Sequence, residues 1–466
     1  MKGQKKKGRL AALFAPTDMT EGSPGKKIVA FAIPMLIGNI AQQLYNTVDS
    51  IVVGRYVGDN ALAAVGSAGP ILNLLLVLFV GISVGASIMV SQYFGAKERE
   101  ELSATIGCSI TLTAISSLII MAVAPFVIRP LLRLLNTPES IMDWCASYLL
   151  ILFIGIAGMS YYNILSGILR GLGDSVSALL YLLVATFLNI VLDLLFVAGF
   201  GMGVAGVALA TAIAQAVSAL LCFLKLARMS EIFDMKLHYM KLGRKHSLDM
   251  IRLGLPSGLT QAIFSMAMII VQSLTNSFGE MFIAANVIIM RVDGFAMMPN
   301  FSFGTAMTTY AGQNVGAKKY DRVEKGAKEG TLIAAGVSAA ITVLILIFGK
   351  YLMGIFTQTA GLVTLSMHLM RILAAGYIAM AVTQCLSGVM RGAGDTMTPM
   401  WISLITTVAI RVPLAYGIAW LTRSPQFPNG REECIFISLL ASWVLGALIT
   451  WFFYRRGAWK KKALDR

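Results

Sequence analysis

The sequence predicts an all-α polytopic membrane protein of twelve spanning helices in two related six-helix halves, and three observations carry that prediction. Hydrophobic residues make up 57% of the 466, and Asp, Glu, Lys and Arg together only 13%, about half the charged share of a soluble domain. Apolar stretches recur that reach the roughly 20 residues a helix needs to cross hydrocarbon, and mean hydropathy is +0.75. Three short motifs recur in the same order at nearly one spacing.

The first two observations give the spans. In lipid a lone helix satisfies its own backbone hydrogen bonds and a lone strand cannot. The apolar stretches are therefore helices, near 28–53, 61–92, 102–126, 140–168, 176–198, 204–227, 251–276, 282–312, 328–348, 362–389, 398–421 and 433–454. Short connections make successive helices antiparallel neighbours. The 44 glycines suit close helix packing and local unwinding. The domain plan is an N-terminal arm (1–27), an N-lobe (28–227), a linker (228–250), a C-lobe (251–454) and a basic tail (455–466).

Basic residues orient these spans. With a cytoplasmic N-terminus, 29 of the 38 Lys and Arg fall in inside segments. Outside lie Arg55, Arg129, Arg133, Lys350, Arg423 and Arg431, while Arg291, Arg371 and Arg411 fall within or beside spans. Both termini are thus expected on the cytoplasmic side, the chain crossing the membrane many times. The net charge of +15 then reads as basic loops beside anionic lipid rather than as a nucleic-acid surface. The apolar run behind Lys2–Arg9 is too short for a secretory signal. Cys108, Cys145, Cys222, Cys385 and Cys434 show no metal or redox spacing.

The repeat is explicit. Ser166–Asp174 reads S-G-I-L-R-G-L-G-D and Ser387–Asp395 reads S-G-V-M-R-G-A-G-D, an offset of 221. The same offset relates Q-Y-F-G-A-K (Gln92–Lys97) to Q-N-V-G-A-K (Gln313–Lys318). A-I-P at Ala32–Pro34 and G-L-P at Gly254–Pro256 recur at an offset of 222. Ordered matches at nearly one offset indicate duplication, and six spans per half make the repeats parallel.

Polar groups inside spans mark candidate function. Asn39, Gln42, Asn46 and Asp49 share one face of the first span. Asn189 and Asp193 are four apart on the fifth, and Thr211 and Gln215 four apart on the sixth. Asp49 and Asp193 are the two deep acids of the first half, which has no deep Lys or Arg to pair with them. A proton or a metal cation is their natural partner. With an amide and a hydroxyl nearby they make a plausible oxygen cage for Na+, and brought together without it they should share a proton. Amides and hydroxyls recur at Gln261, Ser265, Tyr377 and Gln384, and the second half adds Arg291, Asp293 and Arg411. These residues, with Asn39, Gln42 and Asn46, are candidates for a substrate cavity or for hydrogen bonding between helices, and Arg411 for pairing with Asp293. No Walker loop, H-E-x-x-H or G-x-S-x-G motif supports an enzyme, and no cofactor is expected.

The opening A-I-P-M-L-I-G-N, V-D-S-I-V-V-G-R-Y-V-G from Val48 to Gly58, the Q-x-x-G-A-K loops and the paired S-G-x-x-R-G-x-G-D turns together resemble the multidrug and toxic compound extrusion (MATE) family, in its bacterial DinF-like and MepA-like branch. The resemblance spans roughly residues 24–455. It implies a V-shaped pair of six-helix lobes that exports amphipathic, often cationic compounds in exchange for inward-moving H+ or Na+. It also implies an N-lobe ion site whose positions match Asp49, Asn189, Asp193 and Thr211, with Tyr148 and Asn163 around it. Tyr148 and Asn163 would lie about 22 Å apart on a straight helix, so their joint role needs a bend at Gly155 or Gly158. Some branches carry a Glu in the middle of the seventh helix, where this chain has Phe264 and Ser265, which moves the expected coupling to the N-lobe. The reading is an ion-driven antiporter acting as a monomer in the lipid bilayer on a small amphipathic substrate, by alternating access. A flippase for a lipid-linked precursor or anionic amphiphile, suggested by Arg291 and Arg411, is the alternative.

Overall fold

The computed structural model describes residues 15–134 and 137–464, without the side chains at 59, 67, 69, 70, 73–75 and 78. It is almost wholly helical. The first half contains α1 (Pro24–Tyr56), α2 (Asp59–Ala96), α3 (Arg99–Leu134), α4 (Glu139–Ile154), α5 (Ile156–Gly171), α6 (Ser175–Asp193) and α7 (Gly203–Ala227). The second contains α8 (Arg244–Asn276), α9 (Glu280–Gly316), α10 (Tyr320–Gly354), α11 (Ala360–Ala374), α12 (Gly376–Gly392), α13 (Met397–Leu404), α14 (Arg411–Leu421) and α15 (Cys434–Arg456). Among the described residues ten helical stretches are long and apolar enough to cross a membrane, and twelve if α4–α5 and α11–α12 each form one bent span. Those bends are 53° and 44°, the first at Gly155, where the helix breaks.

The duplication is written into the backbone. Left-handed φ values fall at Gly58 and Gly279, at Lys97 and Lys318, and at Gly173 and Gly394, each pair 221 residues apart. Lys97 and Lys318 end the two Q-x-x-G-A-K helices, so a costly conformation for a side-chain-bearing residue is kept in both copies. Each S-G-x-x-R-G-x-G-D turn ends on an Asp that caps the next helix. Asp174 accepts from the Ser177 amide at 2.9 Å and Asp395 from the Thr398 amide at 3.3 Å. The motif's glycines, Gly167 and Gly171 on α5 and Gly388 and Gly392 on α12, lie four apart on one helix face. A Cβ on Gly171 would meet the Ser87 carbonyl at 2.7 Å, and one on Gly392 the Thr308 carbonyl at 2.2 Å. The motif therefore holds α5 against α2 and α12 against α9, backbone to backbone.

The chain forms two compact units, residues 37–255 with 1–18, and 19–36 with 256–466; residues 1–14 lie outside those described. This division differs from limits drawn by hydropathy at α1 and α8. The first turns of α1 pack in the second unit and the remainder in the first. The start of α8 packs in the first unit and its remainder in the second. Pro34 and Pro256 stand close to the two crossing points. The first unit is filled by residues such as Phe79, Leu149 and Phe153, and the second by Phe282, Tyr310 and Leu369.

The segments leading into α1 and α8 are tied down. Met19 is fully buried, its amide donating to Gln313 Oε1 at 2.8 Å, and Arg322 donates to the Gly22 carbonyl at 2.7 Å. In the linker, Arg99 binds both Asp234 carboxylate oxygens, at 3.0 and 3.3 Å, and the carbonyls of Ser230 and Glu231. Hydrogen bonding from Arg99 holds the Asp234 carboxyl below the usual carboxylate range. The folded form therefore gains from this contact above the ordinary Asp pKa and loses it as pH falls through the depressed value. Arg99→Ala should speed tryptic cleavage after Lys236 and Lys241 several-fold at neutral pH; unchanged cleavage would show that the pair does not hold the linker.

Candidate functional site

Four helices of the first unit deliver polar groups to one buried point. Tyr45 and Asp49, one helical turn apart, come from the second half of α1; Asn189 and Asp193 from the last turn of α6; Thr211 from α7; and Tyr148 from α4. Their positions follow from the i, i+4 spacing that puts paired residues on one face. Immediately after Asp193 the helix widens into a π-turn, Leu194–Gly199, a local feature common at functional sites. Asn189 and Asp193 are fully buried, Tyr45, Tyr148 and Thr211 nearly so, and Asp49 is half-buried.

The hydrogen bonds form one connected network. Tyr45 Oη donates to Thr211 Oγ1 at 3.1 Å. Asn189 sits between Thr211 and the acids, and its amide can face them either way. With nitrogen toward them it donates to Asp49 Oδ1 at 2.7 Å and Asp193 Oδ2 at 3.2 Å. Turned over, it donates to Thr211 Oγ1 at 3.4 Å and presents its oxygen to the carboxylates. Asp49 and Asp193 stand near enough to act on each other by charge, and Tyr148 lies near enough to feel both. Asp193 Oδ1 is buried without a partner. Two carboxyl groups this close, with no Lys or Arg acting on them among the described residues, cannot both remain charged without a proton or cation. The orphaned oxygen, the second carboxylate, the Asn189 oxygen and Thr211 Oγ1 are hard donors suited to an alkali cation. The same groups, with the amide turned, suit a shared proton.

Asp49, Asn189, Asp193, Thr211 and Tyr148 thus meet, and Tyr45 joins them. Sequence reading passed over Tyr45, although it stands four residues before Asp49 on the face already marked as polar. Beyond the bend at Gly155, Asn163 bonds within its own helix. Its amide donates to the Met159 carbonyl at 2.8 Å within its own helix, and no hydrogen bond to either acid is made among the described residues.

The second unit builds something different. Asp293 on α9 lies near enough to the buried Tyr377 and to Arg411 to act on both by charge, with no ion pair to Arg411 within 4.0 Å among the described residues, while Tyr377 Oη donates to Met370 Sδ at 3.8 Å. Asp293 Oδ1 and Arg411 Nε are buried without partners. Asn300 Nδ2 donates to the Tyr377 carbonyl at 3.2 Å and Ser338 Oγ to Asn300 Oδ1 at 2.7 Å. The expectation of two buried arginines needs correction at Arg291, which is exposed. Two residues on a helix differ by about 200°, so Arg291 and Asp293 cannot both point inward from α9. Of the other cavity candidates, Gln384 lines a cavity within this unit, whereas Gln261 and Ser265 are exposed on α8. On α1, Asn39 and Gln42 are half-buried and Asn46 is exposed.

Comparison with known proteins agrees with this architecture. The family model described as MatE matches residues 34–195 and again 256–417, one copy per half. The chain is 28% identical over 443 residues to "Probable multidrug resistance protein YoeA" of Bacillus subtilis (strain 168), covering 94% of each chain. It is 29% identical to "Probable multidrug resistance protein YpnP" of the same organism, covering 96% of this chain and 98% of that one. Among solved structures, the "Outward-facing conformation of a multidrug resistance MATE family transporter of the MOP superfamily" matches with a TM-score of 0.88 at 26% identity, over 96% of this chain and 99% of that one.

Proposed function

The chain belongs to the MatE family of membrane transporters and is not an enzyme, and from that premise we propose that it exports amphipathic, cationic compounds in exchange for inward-moving H+ or Na+, coupled at Asp49 and Asp193. The observation that carries this reading is the close approach of these two carboxyl groups, bridged by Asn189 and lacking a basic partner. Multidrug resistance is what the relatives' names describe.

The geometry gives the coupling step a physical form. A proton between the acids leaves Asn189 donating to both, which holds the outer half of α1 against α6. Na+ between them calls for the amide oxygen instead, so one side chain adapts to either ion by turning over. When the ion leaves, two adjacent buried negative charges repel, and α1 is released from α6. Loading and unloading therefore change how α1 is held, and α1 also carries Asn39, Gln42 and Asn46, the groups proposed to meet substrate. The flippase alternative rested on Arg291 and Arg411. With Arg291 exposed and Arg411 acting on Asp293, the ion-coupled exporter is the reading retained.

The distribution of Lys and Arg supports a cytoplasmic side for both termini and the linker. The tryptic cleavage described for the linker should accordingly occur in inverted but not in right-side-out vesicles. The function is tested by efflux of a fluorescent cationic dye from proteoliposomes on which proton and sodium gradients are imposed one at a time. At least one gradient is expected to accelerate efflux several-fold over the ungraded control. Efflux indifferent to both would overturn ion coupling.

A further inference from the structure

The second copy of the S-G-x-x-R-G-x-G-D turn sets a positive charge against a cavity that no carboxylate lines. Arg391 stands half-buried on the last turn of α12. It lines a cavity of about 40 Å3 within the second unit, together with Gln384, Ser387, Thr407 and Ser442. No carboxylate belongs to that lining, and no acid acts on Arg391 among the described residues. Ser387, Thr407 and Ser442 are each nine-tenths or more buried. Their hydroxyls make no hydrogen bond to protein among the described residues, and neither does the Gln384 amide. The matching residue of the first half shows the contrast. Arg170, 221 positions earlier, donates to Ser166 Oγ at 3.3 Å, whereas its counterpart pair, Arg391 and Ser387, shares a cavity instead of a bond.

A guanidinium keeps its charge under all accessible conditions, and a half-buried charge facing no carboxylate favours an anion beside it. Its complement here is an anion, because the unbonded neighbours can all turn N–H or O–H donors toward one. Size narrows the class. A volume of about 40 Å3 holds about three waters, enough for a monatomic ion with part of its hydration shell and too little for a lipid headgroup or a drug. We propose that Arg391, Gln384, Ser387, Thr407 and Ser442 form a binding site for a small inorganic anion of the halide class, inside the second unit and separate from the carboxylate pair of the first. Occupied, the site neutralises Arg391 and ties α12 through donors to the π-turn Ile405–Ile410 and to α15, which supply Thr407 and Ser442.

The test uses the full-length protein purified in detergent, with NaCl exchanged for sodium gluconate at fixed sodium concentration and ionic strength. The thermal midpoint should rise saturably with chloride. Arg391→Gln should raise the half-saturating chloride concentration about tenfold or more, as expected for losing a charge-assisted hydrogen-bond partner. Ser442→Ala, a smaller change, should weaken it in the same direction. Crystals grown in bromide should show anomalous density within hydrogen-bond distance of Arg391, a readout that needs no variant. Identical midpoints in chloride and gluconate, absence of that density, or an undiminished chloride response in Arg391→Gln would each overturn the assignment.

Discussion

Asp193→Asn is expected to abolish gradient-driven efflux, to about the level of empty vesicles, while the protein still reaches the membrane in normal amount. Asn is nearly isosteric with Asp, so the fully buried position on α6 keeps its packing. What it loses is the negative charge and the exchangeable proton. With the charge gone, Asp49 faces a permanently neutral neighbour, and the pair can no longer alternate between an ion-loaded state and a repelling empty one. Asp49→Asn should have the same effect from the other side. Asp143→Asn is the control: that acid is exposed and pairs with Arg129 at 2.8 Å on the surface, where ion pairs contribute about 0–1 kcal/mol, so efflux should be retained. Expression is followed by membrane immunoblot and transport by dye efflux under an imposed gradient. Efflux at the wild-type rate in both Asp49→Asn and Asp193→Asn, still following the gradient, would remove the pair from the mechanism.

The carboxylate pair was legible in the sequence because burying a charge is costly enough to leave a mark. Two acids in otherwise apolar spans, with no deep base in the same half, must be answered by something, and helical spacing then grouped Asn189 with Asp193. Tyr45 left a weaker mark. A tyrosine in a membrane helix is at home at an interface or in a core, and only the network places its hydroxyl on Thr211. Arg291 shows the opposite failure. Lying within a span made it look buried, but the angle between residues 291 and 293 on α9 decides which one turns inward, and Asp293 is the one near Tyr377 and Arg411. The tie of the linker to Arg99 was equally hidden, because a basic, polar stretch reads as free loop until its partner's position is known. Asn163 was carried over from a resemblance, and the hydrogen bond its amide makes is within its own helix.

The two halves are alike in frame and unlike in chemistry. Turns, left-handed residues, caps and helix bends recur at one offset because each is fixed by local backbone geometry, which a duplicated sequence preserves residue by residue. The polar sites depend on contacts among helices, so a few substitutions suffice to change them. Acids with an amide and a hydroxyl remain in the first unit, and an acid, a tyrosine and an arginine in the second. On the reading proposed here, that difference makes the first unit the ion-sensing one, while both supply a matching set of helices.

That shared frame rests on close helix contact, and Gly392→Ala is expected to destabilise the protein by about 1–3 kcal/mol, the usual cost of overpacking, with a larger loss possible if the helices must part. A methyl at this position would stand 2.2 Å from the Thr308 carbonyl and 2.9 Å from the Gly312 amide nitrogen. Both are backbone atoms, so no side chain can rotate away, and α12 and α9 would have to separate along the seam. Gly171→Ala, its counterpart, meets the Ser87 carbonyl at 2.7 Å and should cost somewhat less. The comparison that isolates the contact is Gly336→Ala on α10, where an added methyl meets nothing within 4 Å. There the change only lowers the backbone entropy of the unfolded chain, a gain of about 0.5–1 kcal/mol. Measured as the temperature at which half the detergent-purified protein has aggregated, the order should be Gly336→Ala at or above wild type, then Gly171→Ala, then Gly392→Ala. Equal midpoints for Gly336→Ala and Gly392→Ala would mean that α9 and α12 are not in backbone contact, and the role assigned to the repeated glycine turns would fall with it.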